Sequence, residues 1–154
     1  MIHCTDCHAD DEGGSRGPHG SDWAPILRQR YETADFNPES YESYSLCYRC
    51  HDRSSILRDD SFRKGTSRTT PSGGGHSGHL AAGAPCSACH DPHGVSAAAT
   101  GMLSEGSHTH LINFDTRIVS PFQGKAQPFF RDTGTFSGSC TLVCHGVTHD
   151  DTAY

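Results

Sequence analysis

Cys4-Thr5-Asp6-Cys7-His8, Cys47-Tyr48-Arg49-Cys50-His51, Cys86-Ser87-Ala88-Cys89-His90 and Cys140-Thr141-Leu142-Val143-Cys144-His145 together hold every cysteine of this 154-residue chain. Each pair of cysteines is followed at once by histidine. At these Cys and His frequencies the expected number of accidental C-x-x-C-H strings is roughly 0.03, so three of them and a longer variant call for a chemical reason. Two thiols one helical turn apart reach the two vinyl groups on one porphyrin edge, and the next residue swings its imidazole under the iron. C-x-x-C-H is the attachment signature of c-type haem. The expectation is four covalent haems c, with thioethers from Cys4, Cys7, Cys47, Cys50, Cys86, Cys89, Cys140 and Cys144. His8, His51, His90 and His145 are the expected proximal iron ligands.

Two other chemistries use paired cysteines. Structural zinc brings two C-x-x-C pairs to one ion, and a histidine after every second cysteine has no task there. Thioredoxin-like redox pairs want a βαβ frame that this sequence lacks, and they too leave four histidines idle. The extra residue between Cys140 and Cys144 widens the last motif, and a three-haem protein with a stray disulfide is the competing reading of it.

Composition points the same way. Leu, Ile, Val and Phe number only 23 of 154 residues, while Gly (17) and Pro (8) are plentiful. That is too little to offset a backbone entropy cost of roughly 1–2 kcal/mol per residue. Four porphyrins would supply the missing core, because a large apolar plate needs only to be wrapped. The expected fold is mostly irregular coil, a small haem-cored domain with short helices and one or two small β-hairpins. Residues 1–154 are expected to form a single tetrahaem domain of two dihaem halves, about 1–70 and 76–154.

The halves share a repeated unit: haem motif, Pro-His-Gly, aliphatic pair, haem motif. In the first half it runs through Pro18-His19-Gly20 and Ile26-Leu27, and in the second through Pro92-His93-Gly94 and Met102-Leu103. The segment Thr69–Gly75 between them is a flexible joint by composition. Short helical turns are expected to carry each attachment motif, and Pro38–Tyr44 reads as a helix with Asn37 as N-cap. Hairpins are expected for Leu111–Phe114 with Arg117–Val119, and for Phe129-Phe130 with Thr135-Phe136 across Asp132-Thr133-Gly134. Irregular loop against a haem face is the competing reading.

Eight histidines lie outside the motifs, twice what four irons need as sixth ligands. His19 and His93 occupy equivalent repeat positions in tight Pro-His-Gly turns and are the first candidates for distal ligands. His79, seven residues before Cys86, and His149, four past His145, complete the distal set. His76 and His110 stand in reserve, and His3 and His108 read as surface histidines.

The strings Gly17-Pro18-His19-Gly20-Ser21, Leu46-Cys47-Tyr48-Arg49-Cys50-His51-Asp52-Arg53, Cys86-Ser87-Ala88-Cys89-His90-Asp91-Pro92-His93-Gly94 and Leu111-Ile112-Asn113-Phe114-Asp115 resemble the doubled-C-x-x-C-H multihaem cytochromes of metal-reducing bacteria. In haem count, size and loop-rich composition the chain is similar to the tetrahaem extracellular cytochromes that polymerise into conductive filaments. The resemblance implies bis-His haems, an extracytoplasmic location and electron transfer. The C-x-x-x-C-H form of the last motif departs from the family's pattern.

Three function classes compete. An electron carrier or wire, not an enzyme, needs every iron six-coordinate and no substrate pocket. A multihaem reductase needs an open iron, which surplus histidines, the lack of C-x-x-C-K and the small domain all disfavour. A haem-sensing or structural module hardly needs four cofactors. A formal net charge of −6, with Lys64 and Lys125 the only lysines, argues against nucleic acid. No stretch approaches the ~18 apolar residues of a membrane span. The chain is expected to be exported, extracellular or at the cell surface, with periplasmic as the alternative. No charged and apolar leader follows Met1, so its signal peptide is not in this sequence. A small chain cannot cover four haem plates, so exposed edges, and spare histidines such as His3, His76, His79 and His149, favour a head-to-tail homopolymer. Other redox proteins or extracellular acceptors would be its electron partners, and a monomeric periplasmic shuttle is the alternative.

Overall fold

The computed structural model describes residues 2–12, 20–60, 75–94 and 109–153. His19, Met102, Leu103, His108 and most of the Gly-rich joint fall outside them.

Helices are short. α1 (Cys4–Cys7), α2 (Ser45–Tyr48), α3 (Arg53–Leu57) and α4 (His76–Ala81) are joined by 3-10 turns at Cys86–Ala88 and Thr109–Leu111. The first three Cys/His motifs begin in such helical turns, as expected from their spacing. The helix expected over Pro38–Tyr44 does not form. Ser40 Oγ accepts the Ser43 N–H at 3.0 Å and bonds Ser43 Oγ at 2.8 Å, and such local side-chain bonds compete with helical ones. Helix starts only at Ser45, where Tyr48 N–H reaches the Tyr44 carbonyl at 3.1 Å.

The C-terminal third is a four-stranded antiparallel sheet, larger than the hairpins expected. Its strands are β1 (Val119–Ser120), β2 (Phe129–Gly134), β3 (Ser137–Cys144) and β4 (Val147–Ala153). β3 is central, with β4 on one edge and β2 and β1 in succession along the other. The hairpin expected near Phe129 exists, but it turns at Thr135-Phe136, after Gly134 pairs with Ser137. The hairpin expected between Leu111–Phe114 and Arg117–Val119 does not form: Val119 pairs with Cys144 of β3 instead.

The fourth Cys/His motif therefore lies on a strand and not on a helical turn. Thr141 and Val143 are β-branched and suit the pleated surface. Gly138 completes the fit, since a Cβ there would stand 2.6 Å from the Phe130 ring. Paired residues share a face, so Phe130, Cys140, Leu142, Cys144, Val119 and His149 point the same way. That face carries the main apolar cluster, covered by Ala84, Ala88, Ile112 and Phe114 with Cys89 packed against it.

A second cluster joins residues from both sides of the 61–74 segment. Tyr44, Tyr48 and Leu80 are buried there, with Tyr31, Cys47, Ile56, Leu57 and Cys86 around them. Glu39 closes its edge: its carboxylate accepts from Arg53 Nε at 2.8 Å, Arg53 Nη2 at 2.7 Å and the Tyr48 hydroxyl at 2.9 Å. The Arg53 bonds hold the Glu39 carboxyl below its usual 4.5. Glu39→Gln should therefore cost about 1–2 kcal/mol at neutral pH. Because the folded pKa is depressed, this stability is complete above the unfolded value and disappears as pH falls through the folded one. Urea unfolding of both proteins from pH 7 to pH 3 checks it, the gap between them closing in acid.

Candidate functional site

The first three motifs close by the same backbone bond. His8 N–H donates to the Cys4 carbonyl at 2.8 Å, His51 to Cys47 at 3.0 Å and His90 to Cys86 at 2.9 Å. The two cysteines of each are then roughly 5 Å apart at their α-carbons, one helical turn, and the histidine leaves the turn in a fixed direction.

Motifs one and three also share a returning segment. His8 bridges antiparallel to Leu27 and His90 to Ile112. Arg28 N–H donates to the Cys7 carbonyl at 2.8 Å, and Asn113 N–H to Cys89 at 2.9 Å. His8 Nδ1 meets the Pro25 carbonyl at 3.0 Å, and His90 Nδ1 meets the His110 carbonyl at 2.7 Å. The aliphatic pair equivalent to Ile26-Leu27 is thus Leu111-Ile112, and both Ile26 and Leu111 have positive φ, 61° and 54°. His79 Nδ1 likewise meets the Gly75 carbonyl at 2.8 Å. A carbonyl only accepts, so Nδ1 is the donor in all three rings and Nε2 is the nitrogen turned away from the main chain. Metal-bound histidines are held this way.

Six histidines meet in pairs. The ring centres of His8 and His93 lie 5.9 Å apart at 17°, those of His76 and His90 6.1 Å at 33°, and those of His79 and His149 6.0 Å at 26°. Two imidazoles bound to one metal from opposite sides have centres about 6 Å apart, from ~2 Å bonds and the distance from nitrogen to ring centre. Burial lowers the pKa of His76 to about 4, helped by neighbouring His90, and lowers those of His90 and His149. These rings are neutral at pH 7, the state in which an imidazole ligates.

Comparison with protein-family models, curated proteins and solved structures finds no match. What the site can hold must be judged from its donors. Three motifs with vicinal thiols, paired neutral imidazoles and adjoining apolar clusters fit haem c. The structure brings the proximal candidates His8 and His90 to His93 and His76. It brings the distal candidates His79 and His149 to each other. His51 is exposed, and no ring among the described residues stacks on it; His110 contributes its carbonyl to His90, and its ring stands edge-on to Phe130 at 6.4 Å.

The fourth motif does not fit in the same way. Cys140 and Cys144 lie on an extended strand, about 13 Å apart at ~3.3 Å per residue. Burial pushes the Cys140 thiol up to about 12 and raises that of Cys144. His145 Nε2, the nitrogen that would face an iron, bonds Asp35 Oδ1 at 2.7 Å, and its ring stacks on Phe36 at 4.5 Å. His145 (φ 47°) and Gly146 (φ 75°) form the two-residue β3–β4 turn, both left-handed as a type I′ turn requires.

Sequence reading missed the carbonyl anchors of Pro25, Gly75 and His110, which have no side-chain signature. It also missed the Asp35–His145 bond. The Gly after His145 was the available signal for a turn. Asn suits the first position of this turn, so His145→Asn should lose the Asp35 bond and the Phe36 stacking, about 1.5 kcal/mol together, and leave the hairpin intact. Gly146→Val should cost more, about 2 kcal/mol, from a β-branched residue at positive φ. Denaturant unfolding of the two variants gives the order.

Proposed function

We propose that the chain is an electron-transfer protein carrying c-type haems at its four Cys/His motifs, working outside the cytoplasm and not as an enzyme. The observation that carries this reading is the set of three imidazole pairs, 5.9, 6.1 and 6.0 Å between centres, set around helical turns that each present two thiols. Bound haem iron would supply reversible one-electron chemistry. The chain's residues do the rest. Cys4, Cys7, Cys47, Cys50, Cys86 and Cys89 would attach haem from helical turns, and the paired histidines would hold the irons they flank. Two imidazoles donate more to iron than His/Met, which places the potentials low. Intact-mass measurement of the exported protein should show four haems, and a pyridine haemochrome assay should agree. Fewer than four, or free thiols at Cys140 and Cys144, goes against the fourth attachment.

One observation favours a second reading, thiol–disulfide chemistry. The Cys47 and Cys86 thiols share a hydrogen bond that lowers the pKa of Cys47 and raises that of Cys86. The same mass measurement separates the readings, since a disulfide removes two hydrogens and a haem adds its whole mass.

Among the described residues no helix is long and apolar enough to cross a membrane. The partner proposed is another copy of the chain, head to tail, in an extracellular filament with continuous haems. Exposed Cys4 and Cys50 put two candidate attachment points at the surface, and Ile2, Ile26 and Leu111 are exposed apolar side chains. Apolar haem edges left there would be covered by a neighbour. Size-exclusion chromatography with negative-stain microscopy should show polymers that grow with concentration. A monodisperse particle of monomer mass at every concentration leaves the periplasmic shuttle.

A further inference from the structure

His93 stands three residues past His90, the histidine of the third motif, yet its ring meets His8 of the first. Repeat position alone would keep His93 within its own half of the chain. The third motif has another partner there. His90 meets His76 of α4 with ring centres 6.1 Å apart, and its Nδ1 is tied to the His110 carbonyl. His93 lies instead 5.9 Å from His8, with the two ring planes 17° apart.

Both rings of that pair are anchored on their Nδ1 side. His8 Nδ1 meets the Pro25 carbonyl at 3.0 Å. His93 stands in a turn built on Asp91: its N–H donates to Asp91 Oδ1 at 2.9 Å, and Gly94 N–H donates to the Asp91 carbonyl at 3.0 Å. Asn113 Nδ2 fixes the other carboxylate oxygen, Asp91 Oδ2, at 3.1 Å. Asp91 Oδ1 also lies 3.4 Å from His93 Nδ1, so Nε2 is the ring nitrogen farther from the carboxylate. The first motif fits the group such a pair would flank. Cys4 and Cys7 are one helical turn apart on α1, and buried Leu27 is bridged to His8.

We propose that His93 is the distal ligand of the iron in the haem attached at Cys4 and Cys7, so that this haem takes its thioethers and proximal imidazole from one half of the chain and its sixth ligand from the other. This deepens the electron-transfer reading and rests on it. His90 and His93 then serve different irons, those of the third and first motifs. Three residues span at most roughly 11 Å between α-carbons, so two irons ligated from these positions are neighbours although their attachment motifs are far apart in sequence. The Asp91 turn sets one haem against the other.

The test asks which iron loses a ligand. Exported, haem-loaded protein is compared with His93→Ala and His76→Ala, with haem counted by mass and spin state read by absorbance and electron paramagnetic resonance. The His93 side chain is 76% exposed, so its replacement removes little packing. Each variant should keep its haems and turn one haem equivalent high-spin, and added imidazole should restore the low-spin signal. The same two substitutions are then made in protein carrying Cys4→Ser and Cys7→Ser, which lacks the first haem. There His93→Ala should change nothing, while His76→Ala should still convert one haem. A low-spin spectrum unchanged by His93→Ala in the otherwise native protein overturns the proposal, as does a haem converted by it when the first haem is missing. If the cysteine variant does not fold, paramagnetic NMR of the native haem-loaded protein replaces it: the His93 ring should show nuclear Overhauser contacts to the haem that also contacts Cys4 and Cys7, and contacts to the haem on Cys86 and Cys89 overturn the assignment. Native protein exported without haem overturns the proposed function itself, a result distinct from haem-loaded protein in which His93 serves another iron or none.

Discussion

A hydrogen bond from imidazole Nδ1 to a backbone carbonyl orders this site. The carbonyl cannot donate, so Nδ1 is the donor, Nε2 is turned outward, and the bond limits how the ring can turn. His8, His79 and His90 are all held in this way, by Pro25, Gly75 and His110. Each is also half of an imidazole pair. For His8 and His90, the supporting carbonyl sits in a segment that returns antiparallel to the motif, held by the Arg28–Cys7 bond in the first case and by the Asp91–Leu111 and Asn113–Cys89 bonds in the second. An imidazole is thereby aimed by main chain alone, which suits a protein with few apolar side chains to position anything else.

The sheet and the tyrosine cluster divide the remaining work. The inner face of β3 gathers Phe130, Leu142, Cys144 and Val119 under Ala84, Ala88, Ile112 and Phe114, which places the third and fourth motifs on one apolar layer. Cys89 registers this: burial, and then the nearness of Cys140 and Cys144, push its thiol up to about 12. Tyr44, Tyr48 and Leu80 do the same for the second and third motifs, where Cys47 and Cys86 meet. Neighbouring motifs thus share their walls.

What could be read in advance follows from where the information sits. The Cys-x-x-Cys-His turns were legible because side-chain spacing encodes them. The helix expected over Pro38–Tyr44 failed because Ser40 binds the Ser43 backbone locally, a competition that periodicity does not register. The strand through Cys140–Cys144 was hidden by its likeness to the other motifs, although Thr141, Val143 and the His145-Gly146 pair carry ordinary strand and turn signals. The repeat was legible, but its aliphatic pair was placed at Met102-Leu103. Leu111-Ile112 has the matching bridge, carbonyl and left-handed backbone. Histidine pairings depend on contacts between distant segments, and spacing does not report those.

The pairings also differ greatly in the length of chain they enclose. His76 and His90 bound a short loop, whereas His8 with His93, and His79 with His149, join segments from distant parts of the sequence. Loop closure costs more as the loop lengthens, by about 0.6 kcal/mol for each doubling. A closure already made shortens every loop that contains it. The His76–His90 contact lies inside the span from His8 to His93 and overlaps that from His79 to His149, so forming it first lowers the entropy cost of the nested one. The loop-closure cost thus favours the local contact near the middle before the long-range contact that encloses it.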